Sequence, residues 1–140
     1  MIAYFDTSAI VPLVIGEPGS TACTRLWNEA TRVMSVRLLY PEARAALAKA
    51  HRMDRLTRRQ LTAAVADLEV IMTEVDHAEI TADLARDAGE LADVHGLRGY
   101  DAVHLAAAVS AREPDLVVAT GDHGMAAAAR ALGISVALTA

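Results

Sequence analysis

The sequence predicts a three-layer α/β/α domain in which a parallel sheet is covered by helices on both faces. Two observations carry this expectation. Short apolar runs bounded by turn residues alternate along the chain with segments of helical periodicity, and strands separated by helices imply crossover connections and parallel pairing. The 140 residues, 54% hydrophobic and 22% charged, suit one domain, residues 1–140, with a substantial core.

The first strand is expected over Ile2 to Phe5 (IAYF), stopped by Asp6 and followed by the helical TSAIVPLVI and TACTRLWNEA. A second strand, Val33 to Val36 (VMSV), precedes Pro41 and Glu42, a pair suited to the first turn of a helix. The clearest helix places Leu61, Ala64, Val65, Leu68, Ile71 and Met72 on one face. Thr57, with Gln60 three positions later, opens it as a capping box. The run TEV could add one short strand, and a further helix is expected from Asp76, with Glu79 in its first turn and Gly96 as its stop. Asp101 is expected to open the helix AVHLAAAVSA. The last strands are Leu116 to Ala119 (LVVA) and Ile134 to Leu138 (ISVAL), with the helix HGMAAAARALG after Asp122 between them.

Composition narrows the functional classes. No apolar run approaches the ~18 residues of a membrane span, and MIAYFD has no basic region ahead of an apolar segment, so a soluble protein retained in the cell, in the cytoplasm, is expected. Cys23, the single cysteine, cannot form an internal disulfide or a thiolate metal cage, and is expected in the core. A net charge of -5 argues against nonspecific coating of nucleic acid, although an acidic chain can carry a local basic face.

Open parallel sheets bind ligands beyond the carboxyl ends of their strands, where loops feed helix N-termini. Asp6, Glu42, Asp101 and Asp122 all fall at expected helix starts. Asp is a preferred N-cap and Glu is favoured in the first turn, so capping alone could explain any one of them. The group argues for more, because none of these starts is capped by Ser, Thr or Asn and the acids keep apolar company. Leu105, Ala106 and Val109 imply a buried helix behind Asp101, whose carboxylate would be desolvated without a charged or hydrogen-bonding partner. Carboxylates gathered at one sheet edge repel each other, and a divalent cation relieves that. Oxygen ligands without cysteine or paired histidine point to Mg²⁺ or Mn²⁺ in preference to zinc.

Four stretches, FDTSAIVPL, YPEARAAL, YDAVHLAAA and VATGDHGMAAAARALGI, together resemble the PIN-domain ribonucleases, most closely the toxins of bacterial VapBC toxin–antitoxin systems. The resemblance covers nearly the whole chain. It implies a parallel sheet ordered 3-2-1-4-5 and a quartet, Asp6, Glu42, Asp101 and Asp122, that binds Mg²⁺ or Mn²⁺ and supports phosphodiester hydrolysis. Thr7, Ser8 and Thr120 become the nearby hydroxyls. It further implies an RNA substrate, a small VapB-like antitoxin that blocks the acidic pocket, a homodimeric toxin, and promoter DNA bound only through the antitoxin. His104, Met125 and the Pro41 before Glu42 are the departures from the family pattern.

Other residues are candidates for substrate contact. Arg44 and Arg98 lie near the quartet in sequence, and His104, three residues after Asp101, shares its helical side, while His123 follows Asp122. His51, His77 and His95 read as structural or exposed. The stretch KAHRMDRLTRR (Lys49 to Arg59) is the best basic surface, and a solvated helix face explains it equally. The few aromatics are mostly expected in the core, so recognition would rest on RNA shape and backbone. Leu13, Leu26 and Trp27 could cover a partner or fill the core. Two alternatives remain at this point. A haloacid-dehalogenase-like phosphatase also has an Asp after its first strand and a late Gly-Asp, here Gly121 and Asp122, but needs an acid where Ser8 stands. A PIN-like module could bind RNA or a partner without cutting. No phosphate-cradling glycine motif is present.

Overall fold

The computed structural model describes residues 1–140. In chain order the elements are β1 (Ile2–Phe5), α1 (Thr7–Val14), α2 (Ser20–Glu29), β2 (Arg32–Val36), α3 (Leu39–Arg52), α4 (Arg58–Glu74), β3 (Asp76–Ala78), α5 (Ala82–His95), α6 (Gly99–Ser110), β4 (Leu116–Thr120), α7 (His123–Ala131) and β5 (Ser135–Leu138). The five strands are all parallel, in the order β3-β2-β1-β4-β5. Both the three-layer class and the strand order agree with the expectations from sequence.

Side chains alternate across the pleat and divide the core in two. Ile2 and Tyr4 join Leu116 and Val118 in a cluster with α5, α6 and α7, while Ala3 and Phe5 join Val33 and Ala119 in a cluster with α1, α3 and α4. The central strand β1 is buried at every position, as its unbroken apolar run requires when helices cover both faces. Cys23 is buried in the second cluster. Leu13, Leu26 and Trp27 pack against that cluster, Trp27 edge-on to Phe5 with ring centroids 5.8 Å apart.

Local signals explain most boundaries. Thr57 Oγ1 accepts from the Gln60 amide at 3.1 Å and Gln60 Oε1 accepts from the Thr57 amide at 2.8 Å, completing the capping box of α4. Gly96 ends α5 in the left-handed conformation, with φ 64°.

The chain from Thr73 to Thr81 differs from expectation. The run TEV belongs to α4 and Val75, the strand is Asp76–Ala78, and the following helix starts at Ala82 behind the N-cap Thr81. Asp76 and Glu79 have the spacing of a helix start, but tertiary contacts take both. Arg32 holds Asp76, Arg37 holds Glu79 at 2.6 Å, and β2 pairs Met34, Ser35 and Val36 with Asp76, His77 and Ala78. Thr81, whose hydroxyl accepts from the Leu84 amide, supplies the cap instead. A second correction concerns Asp101. Arg98 is the N-cap of α6, so Asp101 sits in the first turn and does not open the helix.

Candidate active site

Parallel strands deliver their carboxyl ends to one edge of the sheet, and helix starts gather there. Asp6 and Asp122 are N-caps of α1 and α7, while Glu42 and Asp101 occupy the first turns of α3 and α6. All four carboxylates line one cavity of about 450 Å³, together with Thr7 and Ser8. Capping and convergence coexist. Asp6 accepts from the Ala9 amide at 3.2 Å and Asp122 from the Met125 amide at 2.8 Å.

Asp6 is the most buried of the acids, 5% exposed. Burial pushes its carboxyl above the ordinary range, opposed by hydrogen bonds from Ser8 and Thr120. Ser8 Oγ donates to Oδ1 at 2.5 Å and Thr120 donates to Oδ2. The same two hydroxyls accept from the Gly121 amide, at 2.7 Å, and the Asp122 amide, at 3.0 Å. Thr120 lies below the cavity, buried at the end of β4, and with Ser8 it ties the β4–α7 loop to the start of α1.

Glu42 is held from beneath. Its Oε1 lies 2.9 Å from Thr7 Oγ1 and 2.6 Å from His104 Nε2, and His104 Nδ1 lies 2.8 Å from the Tyr4 hydroxyl. On the opposite wall, Arg98 Nε donates to Asp101 Oδ2 at 3.0 Å and its Nη2 reaches Asp122 Oδ2 at 3.4 Å. Burial raises the Asp101 carboxyl above its usual value, and the Arg98 contact opposes this. The Arg98 guanidinium also lies over the Tyr100 ring, 4.8 Å from its centroid.

Of the residues considered for substrate contact, only Arg98 lines the cavity with its charge exposed. His104 is 2% exposed with both ring nitrogens engaged, so it supports Glu42 and is not free to meet a phosphate. Arg44 is directed to the Tyr40 hydroxyl, 2.7 Å away, which in turn donates to Glu69 on α4; Arg44 does not line the cavity. His123 is exposed and also lies outside it. The basic stretch forms the end of α3, the turn and the start of α4, where Arg55 pairs with Glu17 on the cavity wall at 3.1 Å.

Sequence reading missed Tyr4 and Tyr100. A tyrosine in an all-buried strand must find a partner for its hydroxyl, and by that signal Tyr4 could have been found. Tyr100 is 43% exposed on the cavity wall, against the expectation of a mostly buried aromatic set.

The donor set suits a hard cation: carboxylate and hydroxyl oxygens line the cavity and no thiol does. As the side chains stand, no three acidic, imidazole or thiol groups are placed to hold one metal ion between them. Arg98, bridging Asp101 and Asp122, supplies the positive charge there.

Known proteins share this architecture. A family model described as PIN domain matches residues 3–131. The chain is 44% identical over 136 residues to Ribonuclease VapC45 of Mycobacterium tuberculosis (strain CDC 1551 / Oshkosh), covering 97% of this chain and 94% of that protein. Among solved structures, M. tuberculosis VapC20, described as a sarcin-ricin loop cleaving toxin, superposes with a TM-score of 0.70 at 24% identity, covering 90% of this chain and 94% of that one. VapBC-5 of M. tuberculosis, a member of the VapBC family of toxin–antitoxin systems, gives 0.64 at 21% identity and 98% of each chain. A family match over residues 3–131, with 44% identity to a relative over 97% of the chain, means that this chain belongs to the PIN domain family.

Proposed function

We propose that the protein is a divalent-cation-dependent endoribonuclease and the toxin of a VapBC-type pair. The observation that carries this reading is the convergence of Asp6, Glu42, Asp101 and Asp122, from four separate helix starts, on one cavity at the carboxyl edge of the sheet. Two 44% identical relatives are named ribonucleases, which supports RNA as substrate. One structural relative is described as a toxin–antitoxin complex from Klebsiella pneumoniae and another as a member of the VapBC family of toxin–antitoxin systems, which supports an antitoxin partner. A homodimeric toxin in the cytoplasm, reaching promoter DNA only through that partner, completes the proposal. No helix of the chain is long and apolar enough to cross a membrane.

In this reading Asp6, Glu42, Asp101 and Asp122 hold Mg²⁺ or Mn²⁺. When bound, such an ion activates a water and stabilises the departing oxygen of a phosphodiester. The chain's own groups prepare the site. Ser8 and Thr120 fix Asp6, Thr7 and His104 fix Glu42, and Arg98 can exchange its carboxylate partners for a phosphate. Closing the acids on a cation requires Arg98 to release Asp101 and Asp122. The phosphatase alternative loses support because Ser8, at the position where it needs an acid, serves as a donor to Asp6.

The test is cleavage of a structured-RNA pool by purified protein in Mn²⁺, in Mg²⁺, in EDTA, and by Asp101→Asn in Mn²⁺. Defined fragments from wild type with metal alone support the proposal. Cleavage that persists in EDTA, or in a folded Asp101→Asn variant, overturns it.

A further inference from the structure

Glu42 reaches the cavity from the helix layer opposite that of Asp101 and Asp122. α3 packs in the core cluster on one face of the sheet, whereas α6 and α7 pack on the other, so Glu42 must be aligned with acids across the sheet edge. Its two oxygens are not equivalent. Oε1 takes hydrogen bonds from Thr7 and His104, at 2.9 and 2.6 Å, while Oε2 takes none from the chain.

The imidazole behind it is fixed in turn. A carboxylate only accepts, so His104 Nε2 must carry a proton; in the neutral ring Nδ1 then accepts, and the Tyr4 phenol donates to it across 2.8 Å. Tyr4 is fully buried on the central strand and His104 is 2% exposed, so water does not compete for these bonds. His104 also lies one helical turn from Asp101 on α6. One turn of α6 therefore carries one acid and the donor that sets another.

We propose that His104, held by Tyr4, is a positioning residue for Glu42: it fixes Oε1, presents Oε2 to the acidic cavity, and so sets the Glu42–Asp101 separation used for divalent-cation binding. This rests on the metal-dependent reading above. The role is geometric, and it explains why a polar ring is buried among the alanines and leucine of α6. Outer partners of this kind typically change metal affinity by about 10- to 100-fold when removed.

The test is calorimetric titration of Mn²⁺ into metal-free wild type, His104→Leu, His104→Gln, Tyr4→Phe, Glu42→Gln and the His104→Leu/Glu42→Gln double variant, each first checked by its melting curve. His104→Leu should weaken Mn²⁺ binding by about tenfold or more. His104→Gln, whose amide can donate from near the Nε2 position, should recover most of that loss, which a packing role alone does not predict. Tyr4→Phe should weaken binding in the same direction by less. In the Glu42→Gln background, His104→Leu should add no further loss, because it acts through Glu42. A folded His104→Leu that binds Mn²⁺ as wild type does, failure of Gln to rescue, or additive losses in the double variant overturns the proposal.

If His104→Leu does not fold, Tyr4→Phe decides by whether its affinity falls. Ring-nitrogen NMR of metal-free wild type gives a readout independent of any cation, and an unprotonated Nε2 overturns the proposal. Wild type that binds no Mn²⁺ would instead sink the metal-dependent reading itself, so the two failures are distinguishable.

Discussion

Arg98 Nε lies 3.0 Å from Asp101 Oδ2, and through Nη2 the same guanidinium reaches Asp122. It is the single arginine or lysine lining the cavity. One cation thus stands between two carboxylates that would otherwise repel, and in the metal-dependent reading proposed above it would compete with a divalent ion for them. Arg98 is 64% exposed, so its bond to Asp101 is screened and readily exchanged. Arg98→Gln should therefore bind Mn²⁺ several-fold more tightly while cleaving more slowly at saturating Mn²⁺, since a contact for the substrate phosphate is lost. Calorimetry and single-turnover cleavage check both halves. Unchanged Mn²⁺ affinity would show that Arg98 does not compete.

Burial raises the Asp6 and Asp101 carboxyls, and this fixes the sign of a pH effect in metal-free protein. Below the unfolded-chain value of about 3.9, both states hold the proton and the contribution of each group is fully present. As pH rises through the folded-state value, the folded protein gives up a proton it prefers to keep, and that stability is lost. In EDTA, wild type should lose stability relative to Asp6→Asn as pH rises from the acid range toward neutrality, and saturating Mn²⁺ should reverse the trend. Melting curves across this range check it; a gap independent of pH would count against a destabilising buried carboxylate.

Much of this was readable in the chain because it is local. Apolar runs such as Ile2–Phe5 and the Thr57–Gln60 box carry their own boundaries, and Asp6 and Asp122 are acids at strand-to-helix junctions. What escaped depends on partners distant in sequence. Asp76 and Glu79 read as a helix start until Arg32 and Arg37, more than forty positions earlier, engage them. His104 looked free to meet a substrate because nothing near it in sequence announces Tyr4 and Glu42, which lie 100 and 62 positions away.

Gly19 illustrates a constraint of the same nonlocal kind. A Cβ there would collide with the Thr139 carbonyl oxygen, and Thr139 N donates to Thr120 O at 2.9 Å, next to the hydroxyl that holds Asp6. Gly19→Ala should cost about 1–3 kcal/mol as overpacking and slow cleavage as well. Thr57→Ala, which removes the α4 cap far from the acids, should cost about 1 kcal/mol with cleavage unchanged. Urea unfolding and cleavage rates distinguish them, and equal effects on cleavage would break the proposed link between Thr139 and the site.

The basic stretch gains a location from the structure. Arg55 is bonded to Glu17, a residue of the cavity wall, and this brings the α3–α4 turn against that wall, with Arg52, Arg58 and Arg59 exposed. A cavity lined by so many carboxylates repels a polyanion, so RNA needs positive charge close to its mouth. Arg58→Gln/Arg59→Gln should weaken binding of single-stranded RNA in EDTA and leave the single-turnover cleavage rate at saturating RNA unchanged. Each lost phosphate contact should also make the dependence of log affinity on log salt shallower by about 0.7. Filter binding at several salt concentrations measures that slope. An unchanged slope would identify these arginines as a solvated helix face and direct the search for the RNA path to another side of the cavity.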